Sequence, residues 1–235
     1  MNGRTLLLVA VGIASLAALV FLLPNLLTYR SDGWRLRAEA PLLIGTAADP
    51  FIYAGGDAVR RVDGEATLRF DPGRGRGTLR MEIQLPADFV GTGLPFDALP
   101  GALLAVSAPL VAEKILVERA IGGDTEIGDS RLPQTEALLA GTALFEVSVD
   151  SRTSAGIYRG FWSVANGLRR ADGSIGQQGL VFSPLLREKT GFSDSTRKEL
   201  TLLLYGGNTE ETAPVLLHVV FGSVTIEQAP DSAAP

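Results

Sequence analysis

The whole chain holds one histidine, His218, set in the apolar run Pro214-Val-Leu-Leu-His-Val-Val-Phe221. To act as a general base it would need a nucleophile and an orienting carboxylate brought close by the fold. One serine-bearing stretch, Gly191-Phe192-Ser193-Asp194-Ser195, lacks the closing glycine of a nucleophile elbow, because position 195 is serine. The favoured reading of His218 is therefore a hydrogen-bonded histidine in or beside the core.

Two other motifs invite chemistry. Gly73-Arg-Gly-Arg-Gly77 has the glycine density of a phosphate-binding loop. Such loops lead into a helix whose N-terminus holds the anion, whereas this one leads into an alternating strand, so a hairpin turn is expected. Asp124, Glu126 and Asp129 gather acidic oxygens in one loop. Their spacing is not that of an EF-hand, and the terminal bidentate glutamate is missing, so a solvated loop is expected. The chain has no cysteine, which excludes disulfides, thiolate zinc sites, iron–sulfur clusters and thiol catalysis. Its net charge of −5, with both signs interspersed, argues against a nucleic-acid binder. No Asn-x-Ser/Thr acceptor occurs. No cofactor, metal site or catalytic group is expected, and the protein is read as a non-enzyme.

Residues 5–27 carry no charge. As a helix they would extend for roughly 30 Å or slightly more, the thickness of a bilayer core. Pro24 would loosen the last turn. A cleaved signal peptide would be shorter, and the small-x-small triplet Ala38-Glu-Ala40 lies far past the run. The chain is thus expected to divide into an anchor at 1–30, an extramembrane domain at 31–228 and a disordered tail at 229–235. Tyr29 and Trp34 would favour the headgroup layer. Arg30, Arg35 and Arg37 have two readings of equal weight: contact with anionic lipid, or ordinary solvated arginines on a strand's outer face. A literal charge count would hold the domain in the cytoplasm, but long domains translocate largely regardless of charge. The expectation is a single-pass protein of the bacterial inner (cytoplasmic) membrane, its domain extracytoplasmic.

The elements of that domain are read from alternation. Trp34, Leu36, Ala38 and Ala40 alternate with charged residues, as do Ala66, Leu68 and Phe70, then Leu79, Met81, Ile83 and Leu85. Ala143, Phe145, Val147 and Val149 repeat the pattern, and residues 156–164 are aromatic-rich and strand-like. Residues 200–205 and 215–221 are short apolar runs that suit central strands, with loop between them. Residues 224–226 would continue the last strand beyond a bulge at Gly222. Residues 110–120 suit either a helix or a strand. The expected fold is all-β: an antiparallel sandwich or partly closed barrel of about 8 to 10 strands.

Residues 89–112 stand apart. Phe89, Leu94, Phe96, Leu103 and Leu104 are interspersed with Gly91, Gly93, Pro95, Pro100 and Gly101. An apolar segment rich in glycine and proline is either tucked under a core or pressed on a lipid or protein surface. The expectation is contact with a partner. The function read from the sequence is a non-catalytic accessory or structural subunit of a larger membrane complex, with membrane lipids and integral membrane proteins as partners and no nucleic acid. The alternative is a tethered module binding a lipid or other hydrophobic ligand in a barrel mouth.

Overall fold

The computed structural model describes residues 33–46, 59–89, 100–129, 132, 134–150, 155–169, 176–177, 180–181, 194–206 and 215–228. The apolar run at 5–27, Tyr29, Arg30, Leu94, Phe96 and the tail from 229 lie outside them. Among the described residues no helix is long and apolar enough to cross a membrane.

Twelve strands are described: β1 (Trp34–Thr46), β2 (Arg60–Arg61), β3 (Gly64–Asp71), β4 (Arg76–Gln84), β5 (Leu103–Val111), β6 (Ile115–Ile121), β7 (Thr135–Val149), β8 (Gly156–Gly167), β9 (Gly176–Gln177), β10 (Leu180–Val181), β11 (Asp194–Tyr205) and β12 (Val215–Gln228). Eight of them, in the order β12-β11-β8-β7-β5-β4-β3-β1, pair antiparallel with their neighbours, and β1 then pairs with β12. The sheet is therefore a closed eight-stranded barrel. This corrects the sandwich expectation and completes the partly closed alternative. Closure needs pairing between the first and last strands, which alternation within a single strand does not encode.

The interior follows directly from the period of two. Leu36, Leu68, Leu79 and Ala108 are register neighbours on four successive strands. So are Ala38, Ala66, Met81, Val106 and Val147. All of them are buried. Such stacked layers fill the barrel with side chains. Each fully buried Leu, Val or Met contributes roughly 1.5–3 kcal/mol of transfer free energy. Phe145 and Trp162 complete the filling from β7 and β8.

Followed strand by strand, the register that starts at Trp34 returns to β1 near Thr46, a stagger of about twelve positions. The strands are accordingly tilted. Strands β11 and β12 are buried on both faces over 199–205 and 215–221, as their continuous apolar runs led one to expect. Their outward residues are covered in part by a second cluster containing Ile121, Leu132, Phe161 and Tyr205. By contrast, the outward faces of β3 and β4 carry Arg69, Arg80, Glu65 and Glu82, all exposed.

Two local expectations change. Residues 110–120 are neither one helix nor one strand. The strands β5 and β6 both pair with β7, separated by a single 3-10 turn at Ala112–Lys114 that shifts the register. The last strand does not bulge at Gly222. The irregularity lies on β1, where Ala40 has φ 55° just before Pro41, and where the register shifts between Leu43 and Gly45. Pro41 has no N–H to donate and disfavours the right-handed helical region for Ala40, but the register runs unbroken through it and shifts only beyond Leu43. The loop Gly73-Arg-Gly-Arg-Gly77 is the expected hairpin: Gly75, at φ 63°, closes the turn, and its N–H donates to the Pro72 carbonyl at 3.3 Å.

Candidate functional site

The outward side chains of β5 are Leu103, Ala105, Ser107, Pro109 and Val111, none of them charged. Next to β5 comes β7, where Leu144 occupies a slot that alternation reserves for a polar residue; it is 63% exposed. On β8, Ile157 does the same at 68% exposure. Leu144 lies opposite Arg159, and Ile157 lies opposite Glu146, so the two apolar side chains are diagonal neighbours across β7 and β8. Val111, 45% exposed, extends the apolar surface along β5. Monomeric surfaces expose single apolar residues freely, but contiguous ones commonly mark a contact face.

The residues singled out from sequence distribute unevenly around this face. Leu103 is half-exposed on it. Phe89 and Leu104 are buried in the barrel's own core, at 8% and 0% exposure, and Leu94 and Phe96 lie outside the described residues. Trp34 is partly buried and packs against the core. Arg35 is exposed, directly across from Arg69 on β3 and Glu227 on β12. Arg37 is engaged by carboxylates, its Nε 3.1 Å from Glu39 and its Nη2 2.6 Å from Glu65.

His218 is fully buried on β12, in register with Gly45 and Leu203. Ser193 lies outside the described residues. Of the acidic residues in that loop, Glu126 is exposed in a left-handed conformation after the turn Gly123–Thr125, whereas Asp129 is buried. Among the described residues no three His, Asp or Glu side chains could share a metal ion.

Sequence reasoning missed a small cleft on the barrel's outer wall. It lies beside the segment around Gly122 and Asp129 and strands β7, β8 and β11, and at about 10 Å³ it has room for roughly one water molecule. Asp129, Thr135, Ser163, Glu199 and Thr201 line it beside Phe161 and Leu168. The Tyr205 hydroxyl donates to Asp129 Oδ2 at 3.2 Å. The Arg169 N–H donates to Glu199 Oε2 at 3.2 Å, and Arg197 donates to the Arg169 carbonyl. The signal was present: Glu199 and Arg169 are charges set against apolar runs, and charges so placed are nearly always paired.

Burial pushes the Glu199 carboxyl above the ordinary carboxylate range; Arg169, the backbone N–H groups of Arg169 and Leu168, and Arg197 pull it back. The fold therefore favours the neutral acid. Its contribution to stability is whole below the ordinary glutamate pKa and is lost as pH rises through the raised one. Glu199→Gln fixes the neutral form. The variant should melt with the parent in acid and increasingly above it as pH rises past the usual glutamate range. Thermal denaturation across pH tests this; a constant gap would show that Glu199 does not carry the linkage.

No protein-family model, curated protein or solved structure matches the chain, so the outward β5–β7–β8 face and the cleft are read on their own geometry.

Proposed function

We propose that the protein is a membrane-anchored, non-catalytic accessory subunit whose barrel docks an integral membrane partner through the outward face of β5, β7 and β8. The supporting observation is the diagonal pair Leu144 and Ile157, exposed at 63% and 68% beside a strand with no outward charge. The anchor is the run at 5–27, and the domain is taken to be extracytoplasmic. An integral membrane partner suits both, because the anchor confines the barrel to the bilayer surface. Confinement raises the effective concentration of a membrane partner, so a modest apolar patch suffices. The alternative, a hydrophobic ligand in the barrel mouth, is disfavoured by an interior filled with Leu68, Ile83, Leu104, Phe145 and Trp162.

The test is a Leu144→Asp/Ile157→Asp variant of the full chain, extracted from its native membrane in mild detergent. Parent chain is expected in a larger assembly by size exclusion, and variant chain in the monomer fraction with its thermal melt unchanged. Both substitutions are on solvated positions, so stability should move by no more than about 0.5 kcal/mol each. Co-elution of the folded variant with the assembly, or a monomeric parent, would overturn the proposal.

A further inference from the structure

We infer that the barrel seats on an anionic lipid surface through its anchor-side rim, centred on the hairpin loop at 72–75. The inference rests on the anchor reading above and adds which end of the barrel meets the bilayer, and by what chemistry. Strand β1 begins at Trp34, a short way beyond the apolar run. Even fully extended, the linking residues reach only about 25 Å, so the end of the barrel holding Trp34 faces the membrane. The sheet register fixes what else lies at that end. Trp34 pairs with Phe70, Phe70 with Gly77, and Arg76 with Val111. The Ala112 N–H donates to the Gly75 carbonyl at 2.9 Å, tying the hairpin loop to the end of β5.

That rim is basic. Arg35, Arg69, Arg74 and Arg76 are all exposed there. Arg35 lies directly opposite Arg69 on one side and Glu227 on the other, so the sheet itself meets only part of this positive charge. Asp71 shapes the loop and offsets part of the rim's charge: it accepts the Arg74 N–H at 3.0 Å, lies 3.4 Å from Arg74 Nε and is the register partner of Arg76, which leaves the arginines in excess. Arg74 still leaves 72% of its side chain in solvent.

Four residues further along β1 the sign reverses. Glu39 pairs with Glu65, and Glu65 with Glu82, which makes a row of three carboxylates across β1, β3 and β4. Four residues of strand separate the two rows by roughly 13 Å, more than the Debye length of about 8 Å at physiological salt. A bilayer surface touching the arginine row therefore attracts it while leaving the glutamate row screened. In a chain of net charge −5, this separation of charge selects one end for an anionic surface.

The cysteine-free chain allows single-site labelling of the full protein in nanodiscs. A fluorophore at Gly73→Cys, on the rim, is compared with one at Asp88→Cys, in the exposed turn at the opposite end. Quenching by headgroup-nitroxide lipid is read in phosphatidylcholine alone and with added phosphatidylglycerol. Quenching at position 73 is expected to rise at least twofold in the anionic discs and to fall back in ~1 M salt, where the Debye length is about 3 Å. It should also fall back in the Arg74→Glu/Arg76→Glu variant, while position 88 stays unchanged. Equal quenching at position 73 in both lipids, with the chain embedded, would overturn the lipid contact and leave the anchor intact. Release of the chain from the bilayer by carbonate would instead overturn the anchor reading, and this inference with it.

Discussion

Leu104→Ala should destabilise the barrel by about 2–5 kcal/mol, whereas Leu103→Ala, one residue earlier, should cost no more than about 1 kcal/mol. The two leucines share a strand and a composition but not a face. Leu104 is fully buried, aligned with Ile83 on β4 and Val149 on β7. Truncating it removes the transfer free energy of three carbons and leaves a cavity that a sheet hydrogen-bonded on both sides closes poorly. Leu103 points outward and is already partly in water. Chemical denaturation followed through the fluorescence of Trp162, buried in the same interior, measures both. Equal losses at the two positions would mean that β5 does not alternate as described. The pair also separates stability from docking: Leu103 belongs to the proposed contact face, so its loss should be felt in the complex and not in the melt.

The second large effect is at Gly141. A side chain here has nowhere to go: its Cβ would lie 2.3 Å from the Lys114 carbonyl oxygen and 3.3 Å from Trp162 Nε1. The first of these is backbone, so the turn at Ala112–Lys114 must move. That turn carries the chain from β5 to β6 along one edge of β7. Gly141→Val should therefore cost about 3 kcal/mol, the upper end of ordinary overpacking. It should also free the β6 amide groups to exchange faster than those of β8. Hydrogen exchange resolved by strand is the measurement; uniform loss of protection over the whole barrel would show instead that the turn and the barrel yield together.

Most of the strands were legible because most have one wet face. In β3 and β4, Thr67, Arg69, Arg80 and Glu82 interleave with buried Leu68, Phe70, Leu79 and Ile83, and the charge contrast exposes the period. β5 hides the same period because its outward residues, Leu103, Ala105 and Pro109, are as uncharged as its inward ones. Its apparent breaker, Pro109, is tolerated because it sits past Ser107, where pairing with β7 stops. The apolar segment thus resolves into a regular barrel strand from 103 onward. The outward apolar face was readable in part: Leu144 and Ile157 break their strands' alternation, but only the register shows that they are neighbours. The cleft was not readable, since Asp129 and Glu199 are 70 positions apart in the chain and meet through the packing of a loop on β11. Barrel closure was likewise beyond local pattern.

Closure also orders events in time. β1 is paired along nearly its whole length with β12, from Trp34 against Gln228 to Thr46 against Leu217. The two strands are the first and last described elements of the chain, about 170 residues apart. At ribosomal speeds of roughly 5–20 residues per second, β1 waits on the order of ten seconds or more for its partner to be made. During that wait one edge of a long strand stands open, and open edges recruit other strands. The long sequence separation adds a loop-closure penalty that makes the final pairing slow even when both strands exist. With the preceding apolar run held in a bilayer, each waiting chain would be tethered apart from its neighbours, and the seam would close as an intramolecular event. A nascent chain interrupted before Val215 has no seam to close at all.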